Sequence, residues 1–196
     1  MELIKAKKIA TAICYQLLPY CSKINIAGSI RRKKPEVKDI EIICVPKKIL
    51  AQFENLFERT EISIVDPEFA KTVLSLGQVI KGVPQGKYMQ LELPEGIKLD
   101  LFIPADFDYY RQFAIRTGSA DYSAKIIAAG WKRIGWCGAD IGLRLIKDCT
   151  EHKGPDGKTK YKCERAKNNR PPVWQSEEEF FKWIKVPFIQ PEFRNV

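Results

Sequence analysis

The sequence predicts an α+β fold in two domains, residues 1–105 and 106–196. Three observations lead there. Helical periodicity over 3–18 is followed by strand periodicity over 23–27 and 39–45. A hairpin pattern spans 88–103 and stops at Pro104. A second run of helix, hairpin and charged ribbon begins at Asp106.

In the first helix Leu3, Ala6, Ala10, Ile13 and Leu17 form the apolar stripe, and Lys5, Lys7 and Lys8 lie off it. Those lysines read as a solvated face or as contacts to a phosphate backbone. Pro19 ends the helix. Ile24 and Ile26 mark the first strand, and Pro46 closes the second. Residues 47–58 read as a helix with Ile49, Leu50, Phe53, Leu56 and Phe57 inward. Residues 60–86 stay open between helix and irregular strand. In the hairpin, Tyr88–Leu93 and Ile97–Ile103 flank the turn Pro94-Glu95-Gly96.

In the second domain a helix runs from Asp106 to about Arg116. Ser119 caps a helix over 120–129 that Gly130 ends. Trp131–Trp136 and Ile141–Ile146 read as a hairpin, and residues 148–172 as a long loop or ribbon. Ser176 caps a last helix through Ile184, and the chain from Pro187 is extended.

The net charge is +9, and residues 1–48 hold eleven Lys/Arg against four Asp/Glu. A basic surface concentrated there favours a polyanion, most simply nucleic acid. Apolar runs are too short and too charged to cross a membrane, and Met1–Lys8 has no signal-peptide core. A cytoplasmic monomer is expected, bacterial or encoded by a phage or virus. Of six cysteines, Cys14, Cys21 and Cys44 read as small core residues, and disulfides are not expected in that compartment. Cys149, His152 and Cys163, with Cys137 as a fourth ligand, read either as a zinc site or as part of a plain solvated loop, the loop's lysines and arginines alternatively lying on DNA.

The chemistry centres on Ala27-Gly28-Ser29-Ile30-Arg31-Arg32 and Asp39-Ile40-Glu41. Asp39 and Glu41 are two apart on a strand, so both carboxylates point to one face. Such a pair calls for a divalent metal, most often Mg²⁺ with substrate phosphates. The Gly28-Ser29 turn offers backbone N–H groups and a hydroxyl to a triphosphate. Asp100 stands alone among apolar neighbours, and completes a three-carboxylate cluster if its strand lies beside 39–45.

These motifs, with Leu99-Asp100-Leu101-Phe102-Ile103-Pro104, Asp108-Tyr109-Tyr110, Thr117-Gly118-Ser119 and the segment from Ser176 to Glu192, resemble the family X DNA polymerases of the polymerase beta nucleotidyltransferase superfamily. The resemblance implies a nucleotidyltransferase palm, a mixed sheet with flanking helices, followed by a small α+β nucleotide-selection domain. It implies two Mg²⁺ ions, with Mn²⁺ as substitute, on Asp39, Glu41 and Asp100, and Asp100 as the base. Gly28, Ser29 and Arg32 would hold the incoming dNTP, and Thr117 and Gly118 would border its sugar. Lys33, Lys34 and Lys125 are assigned to DNA, as primer-template or gapped duplex, and short-gap repair synthesis is the implied activity. Transfer to RNA or a small molecule, and a catalytically weak DNA-binding module, are the alternatives. The chain departs from the family at Glu41, where Asp is usual, at Ile115-Arg116 before Thr117, and at Ala120 and Ser123. The amino-terminal lyase and helix-hairpin-helix domains of the family are not expected here.

Overall fold

A computed structural model of the chain describes residues 1–54, 59–139, 142–155, 157, 159–163 and 169–195. It is mixed α+β and divides into two compact units, Met1–Tyr109 and Tyr110–Val196.

The first unit opens with α1 (Leu3–Leu17), whose buried residues are Ala6, Ala10, Ile13 and Leu17, as the stripe requires. β1 (Cys21–Ile26) leads into one helical turn, α2 (Gly28–Arg31), and then β2 (Asp39–Pro46). β3 (Lys48–Glu54) and β4 (Arg59–Val65) form a separate antiparallel ribbon. α3 (Pro67–Ser75) follows, with the Asp66 carboxylate accepting from the Glu68 N–H at 2.9 Å and Pro67 in the first turn. β5 (Gln78–Gly82), β6 (Tyr88–Glu92) and β7 (Lys98–Phe102) complete the unit's main sheet.

That sheet has five strands in the order β1-β2-β7-β6-β5. All neighbours are antiparallel except β2 and β7, which run parallel. Alternation along the strands separates two faces. Ile40 and Ile42 of β2, Leu99 and Leu101 of β7, and Met89 and Leu91 of β6 are fully buried, in one cluster with the α1 stripe and with Phe69 and Val73 of α3. The helices therefore cover the aliphatic face. Asp39, Glu41 and Asp100 alternate with those residues and belong to the other face.

The helix expected over 47–58 is corrected by the β3–β4 ribbon. Ile49, Leu50 and Phe53 fit a helical period, but Thr60, Ile62 and Ile64 supply cross-strand partners that local periodicity does not register. Ile49 and Leu50 face outward, 42% and 70% exposed. Leu56 and Phe57 lie outside the described residues.

In the second unit, α4 (Tyr109–Thr117) is followed by α5 (Ala120–Tyr122), where the Ser119 hydroxyl accepts from the Tyr122 N–H at 3.1 Å. A π-helical stretch, Ser123–Ala128, leads into α6 (Ala129–Arg133). Gly130 therefore does not end a helix. It is buried inside α6, where a Cβ would meet Val186 Cγ2 at 2.9 Å and Ile184 Cδ1 at 3.2 Å. Gly135, at φ +82°, stands at the real exit. Trp131–Arg133 is accordingly helix, and the hairpin shortens to β8 (Trp136–Ala139) and β9 (Gly142–Leu145). Ile141 lies outside the described residues. The charged stretch forms a second ribbon, β10 (Thr150–Lys153) with β11 (Thr159–Lys162).

α7 (Glu177–Trp183) is capped by the Ser176 hydroxyl, which accepts from the Glu179 N–H. Phe180, Phe181, Ile184, Trp174 and Trp131 gather here into the unit's core. Arg194 is fully buried beside them. Its guanidinium donates to both oxygens of Glu177, at 2.6 and 3.2 Å, and to the Ile189 carbonyl at 2.9 Å. Two charges are removed from water together, and the bidentate pairing offsets that cost.

Candidate active site: three carboxylates beside a glycine-serine turn

The parallel pairing of β2 with β7 sets Glu41 directly opposite Asp100, and Asp39 opposite Lys98. Asp39 lies two residues before Glu41 and shares its face. The three predicted carboxylates thus occupy one patch of the sheet, each half-buried. Their charges act on one another. Burial first, and then the Asp100 charge, push the Asp39 carboxyl above the usual carboxylate range, while a backbone hydrogen bond, Arg32 and Lys38 pull it back. Burial lowers the Arg32 guanidinium from its ordinary value, and Glu41 and Asp39 oppose that change. Arg32 therefore sits in the field of both acids.

Gly28 follows β1 at φ +60°. Its neighbour Ala27 donates its N–H to the Glu41 carbonyl at 2.8 Å, which seats the turn on β2. A Cβ on residue 28 would overlap the Glu41 carboxylate. Gly28 is thus required twice, by its left-handed backbone and by the close approach of Glu41. Next to it, the Ser29 hydroxyl is sealed from solvent and has no hydrogen-bond partner. A buried hydroxyl left unsatisfied costs about 1–3 kcal/mol, so this donor is poised for an acceptor. Lys33 and Lys34 follow the turn. Lys33 is itself left-handed at φ 57°, and Lys34 returns its N–H to the Ser29 carbonyl at 3.0 Å.

Two residues absent from the sequence-based site hold Asp100. Tyr88 Oη and Gln90 Nε2 each donate to Asp100 Oδ1 at 2.7 Å. Both lie on β6, where Gln90 pairs with Asp100. The signal was present: a three-residue turn at 94–96 pairs Leu93 with Ile97, and that register brings Gln90 opposite Asp100.

The other predicted residues belong to the second unit. Thr117 is fully buried, and Gly118 abuts Tyr122, whose Cδ1 a Cβ would meet at 2.7 Å. Lys125, assigned to DNA, forms an exposed ion pair with Asp121 at 3.1 Å. The zinc set is revised. Cys149 and Cys163 are joined as a disulfide, against the expectation of none, and Cys137 is the third sulfur of the group. His152 is exposed on β10 and is not part of it. The two cysteines lie 14 apart in sequence, and antiparallel pairing of β10 with β11 makes them neighbours. Among the described residues, no helix is long and apolar enough to cross a membrane.

No model of a known protein family matches this chain, and no curated protein matches it.

Proposed function

We propose that the chain is a nucleotidyltransferase that adds a dNTP to a DNA primer 3′-hydroxyl, in the manner of the family X polymerases its motifs resemble. The observation that carries this reading is Glu41 facing Asp100 across parallel strands, with Asp39 on the same face and the Gly28-Ser29 turn adjoining.

Three half-buried carboxylates on one patch repel one another, and oxygen donors of this kind suit Mg²⁺. Asp39, Glu41 and Asp100 would hold it. Bound Mg²⁺ would supply Lewis-acid polarisation of the phosphoryl oxygens and a lowered pKa for the attacking hydroxyl. The remaining work falls to the chain. Tyr88 and Gln90 fix Asp100 Oδ1, which leaves Oδ2 to take the proton of the primer hydroxyl. The hydroxyl oxygen forms its bond to the α-phosphorus as the bond to the bridging oxygen breaks, and pyrophosphate leaves. Ser29 donates to a phosphate oxygen, satisfying its orphaned hydroxyl, and Arg32 balances the charge of the leaving group. The sugar-side role of Thr117 and Gly118 rests on the resemblance alone.

DNA is favoured over a small acceptor by a groove of about 660 Å³ lined by Leu3, Ile4, Lys7, Lys8, Ile30 and Lys33. It shares Ile30 and Lys33 with the turn that bears Ser29 and combines apolar walls with lysines, as a backbone track does.

The test is extension of a labelled primer at a one-nucleotide gap, with Mg²⁺ or Mn²⁺ and with dNTPs or rNTPs. Addition of one dNTP is expected, and Asp100→Ala should abolish it with DNA binding retained. Transfer only to RNA or a small molecule would move the acceptor assignment. No transfer to any acceptor would refute the enzyme.

A further inference from the structure

Three of the six cysteines converge in the second unit, whereas the candidate carboxylates belong to the first. Cys137 comes from β8, Cys149 precedes β10, and Cys163 follows β11. Their sulfurs all lie within 4.8 Å of one another. Cys137 Sγ is 3.5 Å from Cys149 Sγ and 3.5 Å from the Arg144 carbonyl. Cys149 and Cys163 form the disulfide, and the free thiol Cys137 is fully buried against it.

A disulfide takes two sulfurs, so the third calls for its own account. A buried cysteine is ordinarily a small core residue. Cys137, however, points its sulfur at another sulfur. Thiolates about 2.3 Å from a tetrahedral Zn²⁺ lie roughly 3.8 Å apart. Cys137 Sγ stands 3.5 Å from Cys149 Sγ, close to that spacing, and reduction of the Cys149–Cys163 bond frees the other two sulfurs to separate toward it. Three sulfur donors select Zn²⁺ over the hard cations that carboxylates hold.

We propose that the reduced second unit binds one Zn²⁺ through the thiolates of Cys137, Cys149 and Cys163, with water as the fourth ligand. Reduction by a dithiol passes two electrons and two protons to the Cys149–Cys163 bond, and the dithiol becomes a disulfide. Metal binding then releases three protons from the three thiols. Disulfide and zinc are therefore exclusive states of one site. The disulfide ties only the two ends of the β10–β11 ribbon together. The metal additionally ties that ribbon to β8. None of this depends on the nucleotidyl-transfer reading.

The experiment uses the full chain, reduced with a phosphine, stripped with a chelator and titrated with Zn²⁺ against a chromophoric competitor. Co²⁺ serves as a spectroscopic probe. One equivalent of Zn²⁺ and a thiolate-to-cobalt charge-transfer band are expected. Oxidation with diamide should abolish both. Cys137→Ser should weaken binding by at least about 10-fold, because loss of even an outer-shell partner has that effect. If Cys137→Ser does not fold by circular dichroism, Cys163→Ser, at a half-buried position, supplies the same readout. Cys14, Cys21 and Cys44, and the carboxylates Asp39, Glu41 and Asp100, remain in both variants: undiminished binding with the charge-transfer band kept would assign the metal to the former, undiminished binding without the band to the latter, and either would overturn the proposal. Absence of stoichiometric binding by the reduced wild type would overturn it equally.

Discussion

The carboxylate of Glu41 occupies the space in which a side chain on Gly28 would begin. The turn and the central strand of the candidate site are thereby fitted to each other atom against atom. A glutamate at position 41, where the family it resembles usually has aspartate, reaches that space with its carboxylate, carried outward by the extra methylene.

Gly28→Ala should therefore fail on two counts. The left-handed backbone costs an alanine about 1–2 kcal/mol, and the new methyl must displace Glu41. The expected result is a lower Tm together with loss of nucleotidyl transfer by at least about 100-fold. Adding Glu41→Asp to Gly28→Ala should recover part of the stability, which thermal melts of the single and double variants would reveal. No recovery would show that the overlap is relieved elsewhere.

Tyr88 and Gln90 touch Asp100 through one oxygen. Tyr88→Phe and Gln90→Leu should each lower kcat by about 10-fold, with Tm nearly unchanged, because they orient a ligand without filling the core. The double variant should lose more than the two single effects combined, since either donor alone still partly holds Oδ1. Wild-type kcat in both variants would remove them from the site.

Asp39 carries a sign that can be checked. Its folded carboxyl titrates above the ordinary value, chiefly through burial, so folding favours the protonated form. The folded state then binds more protons than the unfolded one between the two values, and stability falls as pH rises through that window. Above it, the penalty is fully present. Asp39→Asn should accordingly melt a few degrees higher than wild type at pH 7 without divalent metal. The difference should vanish below about pH 3, where both states are protonated. Added Mg²⁺ should raise the Tm of wild type and leave Asp39→Asn where it was. A variant that melts lower at pH 7 would mean that the backbone hydrogen bond, Arg32 and Lys38 together outweigh burial.

Arg194 and Glu177 form a closed pair, 0% and 5% exposed. Arg194→Met leaves a carboxylate buried without its cation and should cost about 3–5 kcal/mol in urea unfolding of the second unit. Arg194→Met with Glu177→Leu should regain most of that. Arg194→Lys should not, because one ammonium cannot satisfy both carboxylate oxygens as the fork does.

The parts of this molecule that were legible in advance are those whose pattern is local. The α1 stripe, the alternation that puts Asp39 and Glu41 on one face, and the Ser119 and Ser176 caps each depend on residues within a turn or two. What escaped depends on pairing at a distance. Ile49 and Leu50 look helical until Arg59–Val65 is known to lie beside them. Gly130 looks like a stop until Val186 and Ile184 are seen against it. Asp100 stood between the two cases. Its residue type suggested a third ligand, but only the β2–β7 pairing brings it to Glu41.

That pairing also carries an expectation for folding. β1 with β2, and β5, β6 and β7 together, are antiparallel pieces with short connections and can form early. The acidic patch exists only after these pieces dock along their one parallel seam, closing a loop from Pro46 to Lys98. A ligand that needs Glu41 beside Asp100 recognises the finished sheet and none of its precursors. It should slow unfolding while leaving the refolding rate untouched, and stopped-flow traces with and without Mg²⁺ would separate the two limbs.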